Sequence, residues 1–350
     1  METKFIKIED DNFHSLQEAA DIIKKGGLVA FPTETVYGLG ANALNPRACG
    51  NIFKAKGRPG DNPLIIHICD LYDLDKYTNI TDSDDKELVY QLAQTFMPGP
   101  LTMVLPKAHI IPYEVTSGLE TVAVRFPSHK VAKELIRMSG VPIAAPSANL
   151  SGSPSPTCAQ HVISDLDGRI EMIVDGGMCE IGLESTIIMP FKNKIKLLRP
   201  GGITVEQLSL FGEVEIDKAI SEKLKGDEKP LAPGMKYRHY APEIPILIVK
   251  GDEKSVCQFF SEKIRNGCGV LCFEEQIEFI KPDKENIKNI FSLGSRFDQN
   301  QQARMLFEQL RNIDKSDINI AYAVQPDING IGFAVYNRLI KACGFEVIEV

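Results

Sequence analysis

The stretch LVAFPTETVYGLG at 28–40 decides how this chain is read. Its first four residues are apolar and stop at a proline, the pattern of a short buried strand; Thr33, Glu34, Thr35 and Tyr37 then follow in a loop closed by Gly38 and Gly40. A strand that ends in a cluster of hydroxyls suits the carboxyl edge of an open α/β sheet, where such sheets bind small polar ligands. The same run also reads as an ordinary turn whose threonines bond their own backbone. Gly38, Gly40 and Ala43 match G-x-G-x-x-A, but TETVY stands between the strand and the glycines. Asn45-Pro46 then starts the next helix too late for a phosphate cradle, so a dinucleotide loop is set aside.

Working outward, Ser15 and Glu18 have the spacing of a capping box, and Leu16, Ala19, Ala20 and Ile23 recur at helical intervals until Gly26-Gly27. On the other side Asn45 caps and Pro46 opens a helix through Ala55, and PLIIHI (63–68) reads as a buried strand. LTMVLP (101–106), TVAVRF (121–126), VPIAA (141–145), EMIVD (171–175), STIIM (185–189) and KLLR (196–199) are further strand candidates, with helical patterns at 84–96, 128–138 and 157–163. This alternation predicts an α/β sheet domain over 1–211. Residues 212–244 are rich in charge and proline and read as a linker. Over 245–350 the alternation resumes (PILIV, a helix at 253–266, VLCF, NIFSL, a helix at 298–312, NIAYAV, a helix at 333–342, FEVIEV), predicting a smaller, Rossmann-like α/β domain.

With 350 residues, 43% of them hydrophobic, the chain is long enough to bury two cores. Its 47 acidic against 39 basic residues leave a net charge of −8, which argues against a protein that coats nucleic acid, because that affinity needs clustered cations. Seven acidic and two basic residues at 70–90 hold −5 of that excess in one surface stretch, whereas 138–160 carries no charge and is dense in Ser, Pro, Ala and Gly. No run approaches the ~20 apolar residues of a membrane span, and METKFIKIEDDNF lacks a secretory pattern, so a cytoplasmic location is expected. The eight cysteines lack paired short spacings and read as reduced thiols, with no structural zinc site.

Chemistry gathers in a few further segments. KAKGRPGDNPL (54–64) brings Lys56 and Arg58 into a turn just before a strand, either a solvated cationic turn or a polyphosphate clamp. His67 in PLIIHI reads as a core histidine or a ligand group, and Arg125 in VAVRFPSH, amid apolar strand residues, needs an anionic partner. PSANLSGSPSP (146–156) offers Ser147, Asn149 and Ser155, LEST (183–186) holds Ser185, and LRPGG (198–202) puts Arg199 at a strand exit.

The ordered set FPTETVYGLG, KAKGRPGDNPL, VAVRFPSH, PSANLSG, LESTII and LLRPGG, followed by PGMKYRHYAP and a second α/β domain, resembles the YrdC/Sua5 family of L-threonylcarbamoyladenylate synthases, in its two-domain Sua5 branch. The resemblance covers essentially the whole chain and implies a YrdC-like twisted open sheet ahead of the smaller domain. It implies formation of threonylcarbamoyl-AMP and pyrophosphate from L-threonine, bicarbonate or CO2, and ATP with Mg2+, for the t6A modification of tRNA. By motif match, Lys56, Arg58, Ser147 and Asn149 are the expected catalytic set. Asn62, Thr121, Ser155 and Arg199 join Arg58, Ser147, His239 and Tyr240 around ATP. Thr33, Thr35, His67, Arg125, the backbone at Ala145, and Ser185 fall around threonine, whose carboxylate is the anion expected for Arg125. Within the linker, 233–242 is expected to close over the groove with His239 and Tyr240 facing the substrates. No protein metal cage, membrane or strong nucleic-acid contact is expected; the protein is expected to be a monomer that hands its product to the tRNA-modifying machinery. The alternative is an RNA-binding or ribosome-assembly module on the same fold.

Overall fold

The computed structural model describes residues 1–9, 13–220 and 240–350; most of the expected linker, His239 included, lies outside them. The chain divides into two compact units. One is Met1–Ser151 with Ser155–Glu180 and Glu184–Tyr237; the other is Arg238–Val350 with Gly152–Pro154 and Ile181–Leu183.

The first unit is built on eleven strands: β1 (Lys4–Lys7), β2 (Val29–Phe31), β3 (Gly38–Asn42), β4 (Ile65–His67), β5 (Leu101–Pro106), β6 (Thr121–Arg125), β7 (Ile143–Ala144), β8 (Met172–Asp175), β9 (Thr186–Phe191), β10 (Lys194–Arg199) and β11 (Glu213–Ile216). They form one mixed sheet in the order β1-β8-β2-β3-β7-β4-β6-β5-β9-β10-β11. Helices Leu16–Lys24 and Lys130–Ser139 bury Leu16, Ile23, Val131 and Leu135 against Phe31, Met172 and Val174 of this sheet. Each such side chain contributes roughly 1.5–3 kcal/mol by leaving water, which holds β2, and the loop after it, in place.

Two local expectations change. Gly38 and Gly40 do not close a loop; they lie in β3, antiparallel to β2 with Val29 opposite Gly40. A Cβ on Gly40 would come within 2.7 Å of both Ile143 and Phe31, so a bare backbone is what lets the neighbouring side chains fill this place. Ser15 has φ −65° and ψ −20° and makes no side-chain cap, because a cap needs an extended backbone; Glu18 pairs with Lys4 instead. Asn45 does cap its helix, accepting from the amides of Arg47 and Ala48, and the helix runs Pro46–Lys56 before Gly57 ends it at φ 61°. That last turn places Lys56.

The second unit has five parallel strands, β12 (Ile246–Lys250), β13 (Gly269–Cys272), β14 (Ile290–Ser292), β15 (Ala321–Val324) and β16 (Val347–Glu349), in the order β14-β13-β15-β12-β16. Helix Glu253–Arg265 packs on Glu274–Ile280, and Gln299–Asp314 on Gly330–Ala342. Right-handed crossovers put the two pairs on opposite faces. All eight cysteines are free, and no helix of the described residues is long and apolar enough to cross a membrane.

Candidate active site

Strand register assembles the centre of the site. His67 of β4 pairs with Arg125 of β6, and Arg125 in turn with Thr102 of β5. Side chains alternate along a strand, so residues opposite one another share a face and these three form one polar row across the sheet. All three are buried. Thr102 shares a hydrogen bond of 2.7 Å with the Ser185 hydroxyl, and Arg199 donates through Nη2 to that hydroxyl at 3.2 Å and through Nε to the Ser185 carbonyl at 3.1 Å.

The anion beside Arg125 is supplied by the protein. Arg125 Nη2 donates to Glu34 Oε1 at 2.7 Å, and Glu34 Oε2 accepts from the amides of Ser128 and His129. The side chains are 4% and 3% exposed, a fully desolvated pair. Burial pushes the Glu34 carboxyl up, but Arg125 and the backbone amides outweigh it and hold it below the usual carboxylate range. An arginine in an apolar strand requires a permanent counterion, and Glu34 meets it.

His67 is held neutral. Burial, then the charge of Arg125, lowers its pKa from 6.5 to about 3. Its Nδ1 lies 3.3 Å from the Ile143 carbonyl, which makes Nδ1 the protonated nitrogen and leaves Nε2 as an acceptor. Above pH 6.5 both the folded and the unfolded imidazole are neutral; below it the unfolded chain takes a proton that the folded site refuses down to about pH 3. Stability should thus be intact above that window and fall as pH drops through it, by about 1.4 kcal/mol per pH unit for each such group. Denaturant titrations across this range should give His67→Gln a slope shallower by one proton; an unchanged slope would show that another group refuses it.

Thr33 and Thr35 share a hydroxyl–hydroxyl bond of 2.8 Å, and Thr33 also donates to the Val36 carbonyl, so this loop is an ST-turn presented at the end of β2. The two readings of the loop are compatible: the backbone bonding rigidifies the hydroxyls. Ala145 follows β7 and donates its amide to the Ile65 carbonyl. Lys56, 3% exposed, reaches across to the PSAN loop, donating to the carbonyls of Ser147 and Asn149, both at 2.5 Å. Ser147 donates to Asn149 Oδ1. Arg58 donates to the Asn62 carbonyl at 3.0 Å and lies over the Phe53 ring. Asn62 is fully buried, and neither polar atom of its side-chain amide has a partner among the described residues. Ser155 donates to Glu184.

Thr121 begins β6, four residues or about 13 Å from Arg125. Tyr240 is seated within the second unit, its ring 5.3 Å from that of Phe307 and 5.6 Å from the Arg338 guanidinium. Sequence reading missed Glu34, although the demand of Arg125 for an anion pointed to a carboxylate, and it missed Glu184 inside the LEST motif. Thr102 gave no signal, being a threonine in an ordinary apolar strand.

Residues 21–201 match the Sua5_yciO_yrdC family, described as "Telomere recombination", and 203–344 match Sua5_C, described as "Threonylcarbamoyl-AMP synthase, C-terminal domain". A Bacillus subtilis (strain 168) protein named threonylcarbamoyl-AMP synthase is 44% identical over all of both chains, and a Pyrococcus abyssi protein of the same name is 45% identical over 95% of each. The crystal structure of P. abyssi Sua5 complexed with L-threonine superposes with a TM-score of 0.89 at 42% identity, covering 99% of this chain and 100% of that one. Matched along both its units, this chain belongs to the Sua5/YciO/YrdC family, in the two-domain form that carries the Sua5 C-terminal domain.

Proposed function

We propose that this chain is a threonylcarbamoyl-AMP synthase, which joins L-threonine and bicarbonate into a carbamate and transfers AMP to it from ATP, releasing pyrophosphate. The observation that carries the reading is the buried row His67–Arg125–Thr102, backed by Glu34 and Ser185. Glu34 accepts from Arg125 Nη2 and the Gly99 carbonyl from its Nε, and the N–H groups that remain suit the carboxylate of an amino acid. His67 Nε2, an acceptor, suits the ammonium or hydroxyl of threonine, and Thr33, Thr35 and Ser185 offer hydroxyls for the same substrate.

In the proposed reaction, the neutral amine attacks the carbon of bicarbonate, an N–C bond forms and water leaves. A carbamate oxygen then attacks the α-phosphorus of ATP, and the bond to the β-phosphate oxygen breaks. Holding the reactants side by side in a desolvated pocket supplies much of the rate. Arg58, Asn62, Arg199 and the loop pinned by Lys56 are the groups for the nucleotide, stabilising charge on the phosphates. The first unit's two buried carboxylates among the described residues, Glu34 and Glu184, are engaged by Arg125 and Ser155, so Mg2+ enters with ATP as part of that substrate. The product would serve threonylcarbamoyl transfer to tRNA.

An RNA-binding role fits less well: Lys56, Arg125 and Arg199 are 3%, 4% and 5% exposed, and cations so buried cannot track a phosphate backbone. The full-length protein should release pyrophosphate from MgATP only when threonine and bicarbonate are both present. Release that ignores threonine, or none at any Mg2+ concentration, would overturn the proposal.

A further inference from the structure

Arg199 does not follow the plain alternation of its strand. Leu197 of β10 stands opposite Ile188 of β9, but Arg199, two residues on, stands opposite Ile187, so the ladder carries one extra residue there. An extra residue of this kind bends a strand and re-aims its side chains, a common device beside active sites. The guanidinium so placed rests on Ser185, donating through Nε to the carbonyl at 3.1 Å and through Nη2 to the hydroxyl at 3.2 Å. Both residues are buried, so these bonds are shielded from bulk water.

The backbone around this arginine is fixed separately. The Thr186 hydroxyl donates to the Ile203 carbonyl at 2.7 Å and accepts from the Ile203 amide at 2.9 Å, which pins the turn after Arg199 to the start of β9. Those bonds leave the Ser185 side chain unset, a rotor with three staggered positions. Thr102 settles it, its hydroxyl lying 2.7 Å from that of Ser185. Either hydroxyl can supply the proton, and in both cases Ser185 Oγ keeps a lone pair for Arg199. Thr102 is fully buried and, in the β5–β6 ladder, stands opposite Arg125. One hydroxyl thus joins the strand pair that carries Arg125 to the residue on which Arg199 rests.

We propose that Thr102 is a positioning residue: through Ser185 it holds the Arg199 guanidinium in place for the phosphates of ATP. The inference rests on the proposed role of Arg199 as a nucleotide contact. It makes Thr102 part of the nucleotide machinery, although Thr102 acts only through its neighbour.

A double-mutant cycle on the full-length protein tests this. Thr102→Val keeps the shape and removes the hydroxyl, and Arg199→Ala removes the group that the hydroxyl is held to aim. Threonine-dependent pyrophosphate release at saturating threonine and bicarbonate gives kcat/KM for ATP. Calorimetric titration with an unreactive α,β-methylene analogue of ATP reads the same cycle as affinity, without turnover. With Arg199 present, Thr102→Val should lower kcat/KM for ATP about tenfold, the loss of one buried hydrogen bond. In the Arg199→Ala background the same substitution should change it by less than about twofold. Ser185→Ala, which breaks the chain at its middle from another strand, should show the same dependence on Arg199, and Thr102→Ser should recover most of the loss. A threonine that only supports the fold would give equal losses in both backgrounds. That result, a Thr102→Val protein that matches the parent, or a serine variant as impaired as the valine one would overturn the inference alone. A parent that neither turns over nor binds the analogue would instead overturn the proposed function, and this inference with it.

Discussion

Arg125→Ala is expected to lower folding stability by about 3–5 kcal/mol and to raise the threonine concentration needed for half-maximal turnover by at least about tenfold, the loss of one charge-assisted carboxylate contact. The stability loss comes from Glu34 rather than from the missing side chain. In the parent, Arg125 and backbone amides hold Glu34 ionised although it is buried. Without the guanidinium, burial wins, the carboxyl pKa rises, and the cost of keeping it charged falls on the fold. The pH dependence should therefore invert. In the parent the contribution of Glu34 is present above its ordinary pKa of 4.5 and is lost as pH falls through its lowered value. In the variant the protonated form is the favoured one, so stability is greatest at low pH and declines as pH rises. Adding Glu34→Gln to Arg125→Ala removes the uncompensated charge and should recover much of the stability, but not threonine binding. A double variant that regains both would show that Arg125 acts only through the fold.

Lys56→Ala is expected to reduce turnover by about 10²–10³-fold, the usual cost of removing one group aimed at developing charge, while the threonine requirement changes much less. The geometry adds a reason that the motif alone did not supply. Lys56 ends its helix with its ammonium on the carbonyls of Ser147 and Asn149, so it holds the PSAN loop in its working shape as well as bringing a positive charge. Alanine removes one donor from both carbonyls. Lys56→Arg should not rescue activity, because a planar guanidinium does not fit a carbonyl cage shaped for a compact ammonium. Steady-state kinetics with varied threonine and ATP will separate the effects. A variant with normal turnover and weakened threonine binding would move Lys56 to the amino-acid side of the site.

Much of this was legible in the chain. Period-two and period-3.6 patterns are local, so the strands LTMVLP and TVAVRF and the helices opened by Asn45 and Asp82 could be read within a few residues of their ends. The polar segments announced themselves by sitting at the edges of apolar runs. What failed was also local in cause. The glycines of VYGLG read as a loop because backbone freedom is their commonest use, whereas here they are strand residues flattened for the neighbouring Phe31 and Ile143. A short helix such as Glu274–Ile280 carries too few turns to show a period.

The sequence by itself thus determined two α/β units, the order of the polar segments, and the need of Arg125 for an anion. Only the tertiary structure decided which anion that is, which hydroxyl stands beside it, and what Lys56 holds. Glu34 and Arg125 are 91 residues apart, as are Lys56 and Ser147, and Thr102 meets Ser185 across 83. Such partnerships are set by strand order and register. Those depend on how whole faces pack, since a shift of one residue would turn every side chain of a strand to the other face. No pattern within a segment encodes that choice.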